Sequence, residues 1–293
     1  MHIRNNLLCL ALLLTSLSIN AQQLNLPRKS PKASISYTIG FTEITIIYSA
    51  PAVEGRKVWG DLIPFGEIWR AGANETTSIE FNNDVQIEGQ PIPKGKYAFF
   101  LIPSPCGSES TAIFNKDWDQ WGDIGYDESL DVLRVKVRSI CGQPPVERLE
   151  YSISNQGFDH GIIRLAWDDA EVQINVQTDA IQQSLAKIED ALIHGEADQK
   201  YAIYAQGADF LLSAGGDLDK ALEWINESVT LRADQSFNWW IKAQVQAKQG
   251  DIKGAIASGE QAQTVGMANE GDRFYNAMRA TMDKVISDWK NQM

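Results

Sequence analysis

Residues 65–77 read FGEIWRAGANETT, placing two carboxylates (Glu67 and Glu75), a guanidinium (Arg70), an amide (Asn74) and an indole (Trp69) among small residues. An arginine presents a planar fork of donors that matches a carboxylate, whether that of a neighbouring side chain or of a ligand. Trp69 and Ile68 supply the apolar anchor such a segment needs, and Gly66 and Gly72 permit tight backbone paths. Two readings stand side by side. In one, Glu67, Arg70, Asn74 and Glu75 form a polar network that fixes a long connection, because buried polar groups must be paired. In the other they face a ligand, for binding rather than catalysis.

Residues 115–129, NKDWDQWGDIGYDES, interleave Trp118, Trp121 and Tyr126 with Asp117, Asp119, Asp123 and Glu128. Aromatic faces beside carboxylates are what a sugar-binding surface offers; the plainer reading is a solvated loop whose tryptophans cover a sheet edge. The spacing approaches a calcium loop, with Asp117, Asp119, Gly122 and Glu128 at the first, third, sixth and twelfth places. Trp121 at the fifth place has no side-chain oxygen, and the flanks read as strands, so no metal is expected. Glycoside hydrolysis would need two carboxyls roughly 5–10 Å apart across a cleft, for instance Glu67 or Glu75 with Asp117 or Asp119. The candidate ligand-binding set is therefore Glu67, Trp69, Arg70, Asn74, Glu75, Trp118 and Trp121, with no catalytic residue assigned.

Other chemistry is thin. Apart from His2 near the amino terminus, the histidines are His160 and His194, and no zinc-ligand spacing occurs. No nucleophile elbow, phosphate-binding loop or dinucleotide fingerprint stands in a suitable context, so no cofactor is expected. The formal net charge is −12 and no basic cluster stands out, which disfavours nucleic acid and anionic membrane surfaces as partners.

The elements that must position these residues change character along the chain. Alternating runs at 34–39, 44–49, 76–81, 85–88, 96–103, 111–114, 132–140, 148–153, 162–167 and 172–176 read as about ten short strands separated by turn signals such as NND and EGQPIPKG. They predict an antiparallel β-sandwich, jelly-roll-like, over residues 34–177. Residues 22–33 read as a mobile lead-in. From residue 178 the apolar period becomes helical, with helices expected over 179–193, 197–213, 218–231, 236–249, 252–265 and 271–290.

GGDLDKAL and QGDIKGAI align at an offset of 34 residues, so residues 178–293 resemble a tetratricopeptide array. Trp239 falls at the packing position of that repeat and Trp240 is expected on the surface. Lys242 replaces an apolar position, Gly259 sits where an aromatic is usual, and the helix-ending proline is absent. Such arrays present a face to a protein or peptide partner.

The first 21 residues carry Arg4 and an apolar run over 7–17, the pattern of a secretory leader. The expected location is exported, periplasmic or extracellular, with no integral membrane segment once the leader is removed. Cys106 and Cys141 then remain, and an oxidising compartment favours a disulfide between them over two buried thiols.

SPKASISYTIGFTEITIIYSAPAVEGRKVWG, LIPFGEIWRAGANETTSIEF, IPKGKYAFFLIP and IFNKDWDQWG together resemble a secreted bacterial family known as domain of unknown function 2911, over about residues 30–176. The resemblance implies a β-sandwich, export and no established activity. It supplies no catalytic residues, and it makes WRAGANE a family feature.

Overall fold

The structure is a computed structural model that describes residues 26–293. The expected leader over 1–21 lies outside the described residues. Nine strands form one antiparallel sheet: β1 (Lys32–Ile39), β2 (Thr42–Ser49), β3 (Ser78–Phe81), β4 (Val85–Ile87), β5 (Gln90–Ile92), β6 (Gly95–Ile102), β7 (Glu109–Asn115), β8 (Asp131–Asn155) and β9 (His160–Gln177). Their order is β1-β2-β3-β6-β7-β8-β9-β4-β5. This is a meander from which one hairpin, β4–β5, crosses over to pair with the end of β9 through Gln86–Gln177 and Ile87–Val176.

Alternation decides which face is buried. Ile44 and Ile46 of β2, Ile79 and Phe81 of β3, Phe99 of β6 and Phe114 of β7 point one way. They share a single core with Val85, Ile87 and Ile92 from the far end of the sheet. The two ends of one sheet therefore close over a common interior in two layers. The opposite face of β6 and β7 is not bare: Ala98, Phe100 and Ile113 are buried there beneath Ile68 and Tyr126. Ile68 and Tyr126, one from each candidate segment, thus cover the outer face of the central strands.

Two pairs of expected strands are continuous. Residues 132–140 and 148–153 are halves of β8, and 162–167 and 172–176 are halves of β9. The β8–β9 register shifts between Cys141 and Val146 and again before Glu150. Pro144 and Pro145 fall in that interval, where no ladder donor is required of them. β5 lies inside EGQPIPKG, which reads as turn because its three residues carry a proline. Cys106, after β6, is bonded to Cys141 at the break in β8, with Cα atoms 5.9 Å apart.

Six α-helices follow: α1 (Ala180–His194), α2 (Lys200–Ala214), α3 (Leu218–Leu231), α4 (Ser236–Gln249), α5 (Ile252–Met267) and α6 (Arg273–Lys290). The chain is thus α+β, a sheet region followed by a helical region with its own apolar clusters. Gly215 (φ 67°) and Gly250 (φ 88°) end α2 and α4 in the left-handed conformation that glycine adopts without a steric cost. Asp217 and Asp251 then cap α3 and α5 by accepting from backbone N–H groups of the first turn. Asp217 and Asp251 keep the 34-residue offset, while the first turn is longer by Gly216.

Gly259 has no room for an aromatic, because a Cβ there would stand 3.0 Å from Ile286 of α6. One expectation is corrected. Trp240 is 2% exposed, not a surface residue, since Trp289 of α6 stacks on it. Trp239 is only half-buried and its indole donates to the Ala233 carbonyl. Lys242, also half-buried, has its pKa lowered by desolvation and stands over the Trp239 ring. No helix among the described residues is long and apolar enough to cross a membrane.

The Cys106–Cys141 link closes a sequence separation of 35 residues. In the chain-entropy picture a loop of that size stabilises the fold by about 3–4 kcal/mol. A Cys106→Ala/Cys141→Ala protein should lose about that much in chemical denaturation while keeping its far-UV circular dichroism spectrum.

Candidate ligand-binding cavity

The 65–77 segment is positioned by an edge that β3 leaves open. β3 pairs with β6 only from Gly95 to Ala98. Beyond that point Trp69 takes over the pairing, with N–H···O bonds of 2.9 and 2.8 Å exchanged with Leu101. The Trp69 indole enters the core, stacked on Trp167 (centroids 5.9 Å apart) and edge-on to Trp59 (5.7 Å). Its Nε1 donates to the Gly72 carbonyl at 3.1 Å, which folds the chain back on itself.

The turn that follows needs left-handed backbone at Ala71 (φ 51°) and Asn74 (φ 59°), unfavourable for L-residues and better tolerated by asparagine. Surrounding bonds hold it there. The Ala71 carbonyl accepts from Thr77 Oγ1 (3.0 Å) and from the buried Tyr151 hydroxyl (2.8 Å). Burial raises the Tyr151 pKa, which keeps that hydroxyl a donor.

The same segment is spliced to the Trp-rich loop. Thr76 N donates to the Gln120 carbonyl at 3.1 Å, Gly122 N donates to the Asn74 carbonyl at 3.1 Å, and Thr76 Oγ1 donates to the Gly122 carbonyl. The described part of the lead-in is bonded to this segment as well. Asn74 Nδ2 donates to the Ser30 carbonyl at 3.1 Å. Arg28 donates to both Glu75 oxygens at 2.6 and 2.8 Å, and its guanidinium lies 5.9 Å from the Trp121 ring centroid. Ala50 N donates to the Pro31 carbonyl, and β1 already begins at Lys32.

The predicted site residues fall into two separate hollows. Glu67, Trp69 and Arg70 line a cavity of about 440 Å³ together with Asp123, Glu54, Arg56, Lys29 and Trp167. Its other wall is apolar, from Leu62, Ile63 and Ile68. Arg70 Nη1 stands 3.9 Å from Asp123 Oδ2, beyond hydrogen-bonding reach, and Arg70 Nε is buried with no acceptor among the described residues. Arg56 is held by the backbone, donating to the Ala52 and Val53 carbonyls.

Glu75 and Trp118 instead border a shallower hollow of about 110 Å³ with Asp119, Lys96 and Tyr48. Lys96 Nζ sits 3.8 Å from the Trp118 ring centroid. Asn74 lies between the two as a backbone bolt, and Trp121 is 61% exposed. Tyr126, interleaved among the acids, is structural: its hydroxyl donates to Asp131 and accepts from Arg134, and burial with the Asp131 bond pushes its pKa up to about 12. Among the described residues no group of three or more His, Cys, Asp or Glu is arranged to hold a metal ion.

Sequence reasoning did not single out Arg28, Lys29, Glu54, Arg56, Trp59 or Trp167. Only the register of distant strands brings them here; the one local signal was that the family resemblance already begins at Ser30.

Comparison with protein families matches residues 30–176 to the family described as "Protein of unknown function (DUF2911)". The match spans the sheet and the candidate cavity and stops before the helices. No curated protein matches the chain.

Two outcomes follow from this geometry. Asn74→Gly should keep the turn, losing only the bond to Ser30, whereas Asn74→Val should cost about 1–3 kcal/mol because a β-branched residue resists positive φ; denaturant unfolding of the pair checks it. Arg28 holds the Glu75 pKa below 4.5, so this pair stabilises the fold above that pH and its contribution is lost as pH falls through the lowered value. Both side chains are nearly half exposed, so Arg28→Ala should cost under about 1 kcal/mol at neutral pH, with the deficit closing in acid.

Proposed function

Since the chain belongs to the DUF2911 family, whose description assigns no activity, we propose that it is an exported, non-enzymatic binding protein. Its ligand site is the cavity beneath residues 67–73, and its helical region serves contact with a protein or peptide. The observation that carries this reading is the Arg70 head group at the wall of an open cavity, with a buried Nε–H that has no acceptor. The neighbouring polar groups of Asn74, Thr76 and Thr77 in the same segment are all paired. The apolar run and Arg4 in residues 1–21 support export.

Binding is preferred to hydrolysis because what marks the cavity is a donor without an acceptor on one of its lining residues, which a bound group can satisfy. A second reading, a carbohydrate-binding surface or carbohydrate-active hydrolase over Glu75 and the 117–128 loop, is favoured by the exposure of Trp118 (41%) and Trp121 (61%), each with a cation against its ring.

A thermal-shift screen against glycan, peptide and small-metabolite collections tests the proposal. A ligand present at about 100 times its Kd should stabilise the protein by about 2.7 kcal/mol, and Arg70→Ala should abolish that gain. If Arg70→Ala lowers the melting temperature and no compound stabilises either protein, the segment is a scaffold. Gains that survive Arg70→Ala and vanish in Trp118→Ala favour the carbohydrate surface.

A further inference from the structure

A second residue lining the Arg70 cavity carries an unpaired donor. Trp167 is 1% exposed, lines that cavity, and its Nε1–H has no acceptor among the described residues. The neighbouring tryptophans of the same cluster differ in this respect: Trp69 Nε1 donates to Gly72 and Trp59 Nε1 donates to the Trp167 carbonyl. A buried N–H without an acceptor is costly, and here two such donors, one of them cationic, are carried by residues that line one cavity.

We infer that the ligand of this cavity is a small monocarboxylate with an apolar body, accepted by the Arg70 guanidinium and the Trp167 indole N–H. The inference rests on the binding reading above and adds the chemical class. A carboxylate is the planar acceptor that an arginine fork fits, and the charged bond is stronger than a neutral one. The rest of the lining sets the charge and the body. Lys29, Arg56 and Arg70 are opposed by Glu54, Glu67 and Asp123, a balanced set that tolerates one added negative charge far better than two. Leu62, Ile63 and Ile68 offer apolar wall to whatever the carboxylate is attached to. The volume of about 440 Å³ is in the range of small-molecule sites.

Indole N–H resonances of the ¹⁵N-labelled protein, titrated with benzoate, with its neutral analogue benzamide and with inorganic phosphate, give the test. Trp167→Phe assigns the resonance, and benzoate-dependent thermal stabilisation reads binding without that assignment. Benzoate should shift the Trp167 indole saturably, and benzamide should bind at least about tenfold more weakly, the loss expected when a charge-assisted bond becomes neutral. Arg70→Lys, which keeps the charge but not the fork, should weaken benzoate about tenfold as well. Equal binding of benzamide and benzoate, or benzoate binding indifferent to Arg70→Lys, would leave the cavity a binding site and overturn the carboxylate assignment. Tighter binding of phosphate than of benzoate overturns it too. If none of the three probes moves the Trp167 resonance or the melting temperature, while another compound stabilises the protein through Arg70, the class is wrong. If no compound of any kind does so, the binding reading itself fails.

Discussion

The packing of the Trp69 indole against both Trp59 and Trp167, which also touch each other, is the contact on which the rest of the candidate site depends. β3 is too short to cover β6, and residue 69 completes that edge only because its side chain is locked in the core. Edge and stacked aromatic contacts contribute about 0.5–1.5 kcal/mol each beyond the area they bury. They offset a turn that needs positive φ at Ala71 and Asn74. Everything beyond Trp69 follows from this fixed point, including the return of the chain to β3, the splice to the 120–122 backbone and the capture of the lead-in by Asn74 and Glu75.

Arg70 inherits its position from the same contact. As the residue after a buried tryptophan in a paired segment, it leaves on the opposite side, toward Asp123 and the cavity. The backbone and hydroxyl groups around it are bonded in turn, while Arg70 Nε, Trp167 Nε1 and Gln120 Oε1 are buried without partners among the described residues. Two of these three belong to residues that line the cavity, and that coincidence favours a ligand-facing role for Arg70. Low local dielectric makes an unmet donor costly and a met one strong.

The alternation of apolar residues made most strands legible, and the helical apolar period made the helices so: α3 and α4 span the residues the periodicity indicates. Continuity of β8 was not legible, because Pro144 and Pro145 interrupt its alternation while the chain absorbs them in a bulge. Trp240 was misplaced because the repeat pattern describes one helical pair, and the residue that covers it, Trp289, comes from α6. For the site, sequence drew attention to Arg70 and the two tryptophan-bearing segments. It did not show that Glu67 and Glu75 face different hollows, since that depends on which side of a left-handed turn each one leaves. It gave no sign of Trp167, whose role comes only from a strand pairing across the core.

Hydrogen exchange in the native state, read at the amides of Trp69, Thr76, Leu101 and Gly122, tests the central claim most directly, because these donors join the segment to β6 and to the tryptophan loop. If Trp69 anchors the site, all four amides open as one unit with a common free energy, and Trp69→Leu lowers that value for the four together while leaving amides of the α4–α5 pair unchanged. If Thr76 and Gly122 keep their protection when Trp69 is replaced, the loop is held by its own contacts, which contradicts the anchoring role of Trp69.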